Sequence, residues 1–310
     1  MKVGMGWQRR TFLRHVSQGI AISIIATASK SLLTACGGKG DSLSGSTATG
    51  IISSNGLLSP GTLTWGADPI EGAPYVFYDP ADRRRLIGFE VEIAEAIARL
   101  MGVRAFFFEV SYDQLFAALA ANRFDMILNG WEITTDRKRI QWFSQPYYRY
   151  GQQIVVRADD PRFEKYTATS EVTLANLAGM TVGTGMSYKA QEILEKDPRI
   201  KTRLYDDATG FMNALAIGHV DALLVDFPIV AYYVLGAGPG GTVNNSLRPI
   251  GVPIFLDNYV IAFNKNNPKG ETLKTEVDQA IDILKKDGTL RRIYEKWKIW
   301  NDQQTQIGIV

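Results

Sequence analysis

The 310-residue sequence predicts an α/β protein of two related lobes, with a cleft where strand ends meet. Three observations predict it. The chain is long enough for two separate cores. Short apolar runs that read as buried strands alternate with segments of helical periodicity. A short internal echo aligns Asn122-Arg123-Phe124-Asp125-Met126-Ile127-Leu128 with Gly218-His219-Val220-Asp221-Ala222-Leu223-Leu224, each a turn that follows an apolar helix and leads into a buried strand. On this register Gly130 and Asp226 occupy equivalent strand ends, and open α/β sheets bind ligands at the carboxyl ends of their strands.

The N-terminal region stands apart. No acid precedes Asp41, Met1 to Arg14 is basic with the pair Arg9-Arg10, and the apolar run Ile20 to Ala28 is too short to span a bilayer. Residues 1–35 therefore read as an export signal, of the twin-arginine type or an ordinary secretory signal carrying two arginines. Leu33-Thr34-Ala35-Cys36 resembles the lipobox of bacterial lipoproteins, which implies cleavage before Cys36 and a lipid-anchored N-terminus rather than a spanning helix. Cys36 is the only cysteine, so no intramolecular disulfide forms; its alternative is a free thiol in a tail. Five of the 34 cations and none of the 32 acids precede Cys36, so cleavage changes the formal charge from +2 to −3. The basic balance belongs to the signal, and no nucleic-acid partner is implied. Residues 36–61, rich in Gly, Ser and Thr, read as a flexible tether.

Leu63 to Gly66 reads as a strand followed by Ala67-Asp68-Pro69, and Arg83-Arg84-Arg85 as a solvated loop. Phe89, Ile93, Ile97, Leu100 and Met101 share a helical face that Gly102 ends, and Phe106 to Val110 reads as a strand. Ser111 and Gln114 have capping-box spacing before Leu115, Phe116 and Leu119; Tyr112 between them is a pocket wall or a core tyrosine. Met126-Ile127-Leu128 reads as a buried strand broken by Asn129 and Gly130. Thr134 or Thr135 is then a helix cap with Asp136 and Arg137 in the first turn. A cation there opposes the helix dipole unless an anion sits at the helix start; the plain alternative is a solvated surface arginine.

Gln152 to Arg157 and Ile254 to Tyr259 are the expected crossings between lobes. Gly183-Thr184-Gly185 lacks the spacing of a phosphate loop, and Ser187 is placed to cap the next helix. Asp226 follows the apolar Leu223-Leu224-Val225, where partial burial of a carboxylate needs a cation or donors, unless it only caps a helix. Val277, Ile281 and Leu284 mark a helix stopped near Gly288; Thr289 caps the last one, along which Leu290, Ile293, Tyr294 and Trp297 read as core.

Several of these stretches carry a family pattern. Asp125, Gly130, Ile133, Thr134, Arg137, Phe143, Ser144, Pro146, Tyr147 and Tyr148 match D-x-x-x-x-G, x-x-I-T-x-x-R and F-S-x-P-Y-Y. Leu86-Ile87-Gly88-Phe89-Glu90-Val91, Leu177 to Gly183, the run from Asp221 to Asp226 and the closing Asp287 to Trp297 add further matches. The chain thus resembles bacterial extracellular solute-binding proteins of family 3, which deliver polar amino acids to ABC transporters. The resemblance implies a type II periplasmic-binding-protein fold, with lobe 1 at 62–153 and 255–310, lobe 2 at 154–254, and a two-strand hinge. It implies a ligand site at Asp68, Tyr75, Tyr112, Asn129, Gly130, Glu132, Arg137, Ser187, Tyr188 and Asp226, with Arg137 on the ligand carboxylate and Asp226 on its ammonium. It departs at Gly72, where an aromatic is usual, so that Tyr75 or Tyr78 substitutes, and at Glu132, where a donating hydroxyl is usual. Glu132 points away to a surface cation, faces a cationic ligand, or is protonated; with Asp68 and Asp226 it favours a basic ligand over an acidic one.

His219 is the only histidine after Cys36, which leaves little for a catalytic triad or a histidine-rich metal site. No catalytic residue, metal or cofactor is expected. The expected partners are a free amino acid and a membrane permease, for a monomer anchored at the periplasmic or cell-surface face of a membrane. Rival readings are a cyclohexadienyl dehydratase-like enzyme with Glu132 as its acid, or a stand-alone amino acid sensor.

Overall fold

The computed structural model describes residues 50–70 and 72–310; the expected export signal and Cys36 lie outside them. The chain runs through β1 (Thr62–Ala67), the hairpin β2 (Phe77–Asp79) and β3 (Asp82–Ile87), α1 (Phe89–Leu100), β4 (Arg104–Glu109), α2 (Leu115–Ala120), β5 (Met126–Ile127), α3 (Arg137–Ile140) and β6 (Gln141–Phe143). The long strand β7 (Tyr148–Arg157) leads to β8 (Thr181–Gly185), α4 (Lys189–Glu195), β9 (Lys201–Tyr205), α5 (Ala208–Ala216), β10 (Ala222–Asp226) and α6 (Phe227–Tyr233). The still longer β11 (Leu247–Tyr259) returns, followed by β12 (Ala262–Asn264), α7 (Gly270–Lys286) and α8 (Thr289–Lys296).

Two five-stranded sheets result, ordered β4-β1-β5-β12-β6 and β11-β7-β10-β8-β9. In the first, β4, β1 and β5 are parallel and β12 is antiparallel to its neighbours. In the second, β9, β8 and β10 are parallel, while β7 is antiparallel to both β10 and β11. Strand β7 shows why both sheet faces are covered: Ile154 and Val156 enter one apolar cluster and Val155 another, as the two-residue period requires. This is the two-lobe α/β architecture expected, with β7 and β11 as the paired long strands.

Local differences have local causes. The part of the expected tether that is described is packed, not flexible. Ile52 and Leu57 are buried, and the Glu276 carboxylate accepts from Ser53 Oγ (2.7 Å), Asn55 N (2.8 Å) and Gly56 N (3.0 Å). Two apolar anchors and one buried acid on α7 outweigh the Gly/Ser/Thr composition. The triple arginine is an exposed hairpin strand, β3. Helix α3 is a single turn beginning at Arg137, whose N donates to Thr134 Oγ1 (3.2 Å). Ser111 and Ser187 make no side-chain cap, and Gly288, not Thr289, precedes α8 in a left-handed conformation.

Candidate functional site

The two echoed units begin alike. Thr64 N donates to Asp125 Oδ2 (2.7 Å) and Asp125 N to Thr64 O (2.9 Å). Thr181 N donates to Asp221 Oδ2 (2.8 Å) and Asp221 N to Thr181 O (2.8 Å). Each aspartate thereby clamps the start of its strand to the parallel neighbour, and Gly130, three residues past β5, and Asp226, the last residue of β10, line one cavity of about 450 Å³. That volume suits a small organic ligand.

Of the ten expected ligand residues, Asp68, Tyr75, Tyr112, Asn129, Gly130, Glu132, Ser187, Tyr188 and Asp226 line this cavity. Arg137 does not. Its guanidinium lies 3.4 Å from the centre of the Trp131 ring, and Nη1 donates to the Glu132 main-chain O (3.0 Å) and to Oε2 (3.3 Å). The single-turn α3 cannot supply the anion-binding helix start that the sequence suggested, and the guanidinium instead has a protein carboxylate.

Glu132, 3% exposed, also accepts from Tyr150 OH (3.3 Å) and, at the limit of hydrogen-bond length, Tyr112 OH (3.5 Å). Burial and the nearby Asp226 push its carboxyl up to about 8, against the pull of Arg137. Glu132 does not point away to a surface cation, since its cation is the buried Arg137. Asp226 stands at the head of α6 without a side-chain cap bond; it accepts from Gln152 Nε2 (2.7 Å) and from Tyr259 OH, which excludes the simple helix-cap role. Burial raises its carboxyl to about 6 despite those donors.

The other wall residues are largely engaged with one another. Asp68 accepts from Ile70 N (2.9 Å) and Tyr112 N (2.9 Å), while Asp68 N donates to Asn129 Oδ1 (2.8 Å). The Tyr75 and Tyr259 hydroxyls are 2.8 Å apart, and the Tyr112 and Tyr188 rings meet edge-on with centroids 5.8 Å apart. Ser187, exposed, sits at the mouth beside Tyr188. Gly72 explains the missing aromatic: a Cβ there would lie 2.3 Å from Val76 O and 2.5 Å from Asp68 O. Gly130 is left-handed (φ +56°), and its N donates to Glu90 Oε1 (2.7 Å).

Five wall or support acids escaped the sequence reading: Glu90, Glu109, Asp113, Asp206 and Asp207. Only Asp207 carried a local signal, as the cap whose Oδ1 accepts from Gly210 N (2.6 Å) at the start of α5. Seven carboxylates line the cavity, and no lysine or arginine is among the described lining residues.

The family model described as "Bacterial extracellular solute-binding proteins, family 3" matches residues 63–299. The L-cystine-binding protein TcyJ of Escherichia coli (strain K12) is 31% identical over 244 residues, covering 78% of this chain and 85% of that protein. The putative ABC transporter arginine-binding protein 2 of the same strain is 26% identical, over 74% of this chain and 91% of its own. Among solved structures, an ancestral arginine-binding protein bound to glutamine superposes with a TM-score of 0.65 at 29% identity, covering 78% of this chain and all of that one. The ancestral amino acid-binding protein AncCDT-1, a precursor of cyclohexadienyl dehydratase, gives 0.64 at 27% identity, covering 76% and 95%. With its two sheets, its cleft at strand ends and these matches, the chain belongs to the bacterial extracellular solute-binding proteins, family 3.

Proposed function

We propose that this substrate-binding component of an ABC transporter captures a basic amino acid, arginine, lysine or histidine ahead of glutamine, with glutamate far behind. The observation that carries the reading is a cavity walled by seven carboxylates whose nearest buried cation, Arg137, is already paired with Glu132. A positive ligand relieves the mutual repulsion of Glu132 and Asp226, and a negative one adds to it. The relative named for arginine binding supports the choice. Calorimetric titration of the purified protein with these five amino acids tests it; tight glutamate binding with no response to the basic three overturns it.

The lobes we assign are 62–153 with 255–310, and 154–254, closing on β7 and β11 as hinge. We assign residues 1–35 to export and Cys36 to lipid attachment, which would hold a monomer beside its permease on the outer face of a membrane. Among the described residues no helix is long and apolar enough to cross one. A Cys36→Ser protein that is still acylated and membrane-bound overturns the anchor. A second reading rests on Glu132, a buried acid raised to about 8 on the cavity wall, which is placed to donate a proton as a dehydratase requires. Turnover of a cyclohexadienyl acid would establish it.

A further inference from the structure

The donors nearest the buried acids are spent on the protein's own carboxylates, while Ser111, Asn129, Ser187 and Tyr188 keep neutral side-chain donors on the wall. Arg137 Nη1, Tyr150 OH and Tyr112 OH point to Glu132; Tyr112 N and Ile70 N point to Asp68; Gly130 N points to Glu90. A ligand carboxylate needs charged or oriented donors to offset its desolvation, and here it would meet the Asp226 carboxylate as a like charge and find Arg137 already paired with Glu132. An ammonium or guanidinium meets the opposite situation, with carboxylate acceptors and the ring faces of Tyr75, Tyr112 and Tyr188 in the same wall.

We propose that Glu132 takes the place of a ligand carboxylate on Arg137, so that the cavity recognises organic amines and guanidines that carry no carboxylate at least as well as the amino acids they derive from. The inference rests on the cationic reading above and narrows its recognised group to the cationic end. The ligand's positive group sits between Glu132 and Asp226, and its aliphatic stem lies along the tyrosines. The α-carboxylate, where present, stays at the solvent side of the cavity and adds little to the affinity.

The test is paired titration of the purified full chain with arginine and agmatine, and with lysine and cadaverine. Each amine is expected to bind at least as tightly as its parent amino acid. A parent amino acid more than about tenfold tighter than its amine, 1.4 kcal/mol, overturns the inference while leaving the cationic reading intact. Failure of all four cations, with glutamine or glutamate bound, overturns that reading as well. Glu132→Ser frees Arg137 and is expected to shift the ratio at least about tenfold toward the amino acid; an unchanged ratio in the folded variant counts against the proposal. The wild-type ratio stands alone if the variant does not fold.

Discussion

The two aspartate-led units differ where it matters for the ligand. At their starts, Asp125 and Asp221 make the same pair of bonds to Thr64 and Thr181. Five residues later the first unit reaches Gly130, three residues beyond β5, which has no side chain and turns left-handed, while the second ends its strand β10 at the Asp226 carboxylate. The first unit then brings Trp131, Glu132 and Arg137 into one group, whereas the second leads straight into α6 with the Asp226 carboxyl on the cavity wall. Repeated scaffold and divergent tips are thus separable: the lead-ins hold the sheets, and the exits hold the chemistry.

The largest expected effect breaks the scaffold half of this comparison. Asp125 is buried and also accepts from Leu58 N (2.7 Å), so Asp125→Ala leaves two backbone donors without partners. Urea unfolding should show a loss of about 2–4 kcal/mol. Next comes the chemical half. Asp226→Asn removes the charge but keeps the shape, and calorimetry should show cation affinity reduced about 30-fold, roughly 2 kcal/mol. Retained affinity would move the cation's partner to Glu132 alone.

A third test concerns Glu90, the support behind Gly130. It is fully buried, and burial raises its carboxyl from the usual 4.5 to about 8 although Gly130 N and Tyr147 OH favour the charged form. The folded state therefore keeps a proton that the unfolded chain loses, and stability falls as pH rises from about 5 through 8, by about 1.4 kcal/mol per pH unit at most. Glu90→Gln should flatten that decline in unfolding curves taken at both ends of the range; an equally steep decline would assign it elsewhere. The smallest effect belongs to Asp221→Ala. Its side chain is 31% exposed and shares Arg162 with Asp160, so the loss should be about 1 kcal/mol or less. A loss equal to that of Asp125→Ala would make the two clamps energetically equivalent.

What was legible in the sequence follows the same division. Apolar runs after Asp125 and Asp221 placed β5, β10 and their cavity-facing ends, because a buried strand writes its pattern in consecutive residues. Long-range pairings leave no such pattern. Glu90 reaches Gly130 across 40 residues, and Glu276 holds Asn55 across 221. The rim acids Glu109, Asp113 and Asp206 look like ordinary surface carboxylates until the fold gathers them. Arg137 shows the same limit: a motif gives its position, whereas its stacking on Trp131 and its pairing with Glu132 come only with the fold.

The hydrogen bonds of Asp226 have a mechanical consequence. One oxygen is tied to Gln152 on β7 and the other to Tyr259 on β11, the two long strands paired at one side of the second sheet. A cation that draws on this carboxylate competes with tethers on both strands at once. On the proposed cationic reading, occupancy would act on both paired strands through this one acid, with no relay of intermediate side chains.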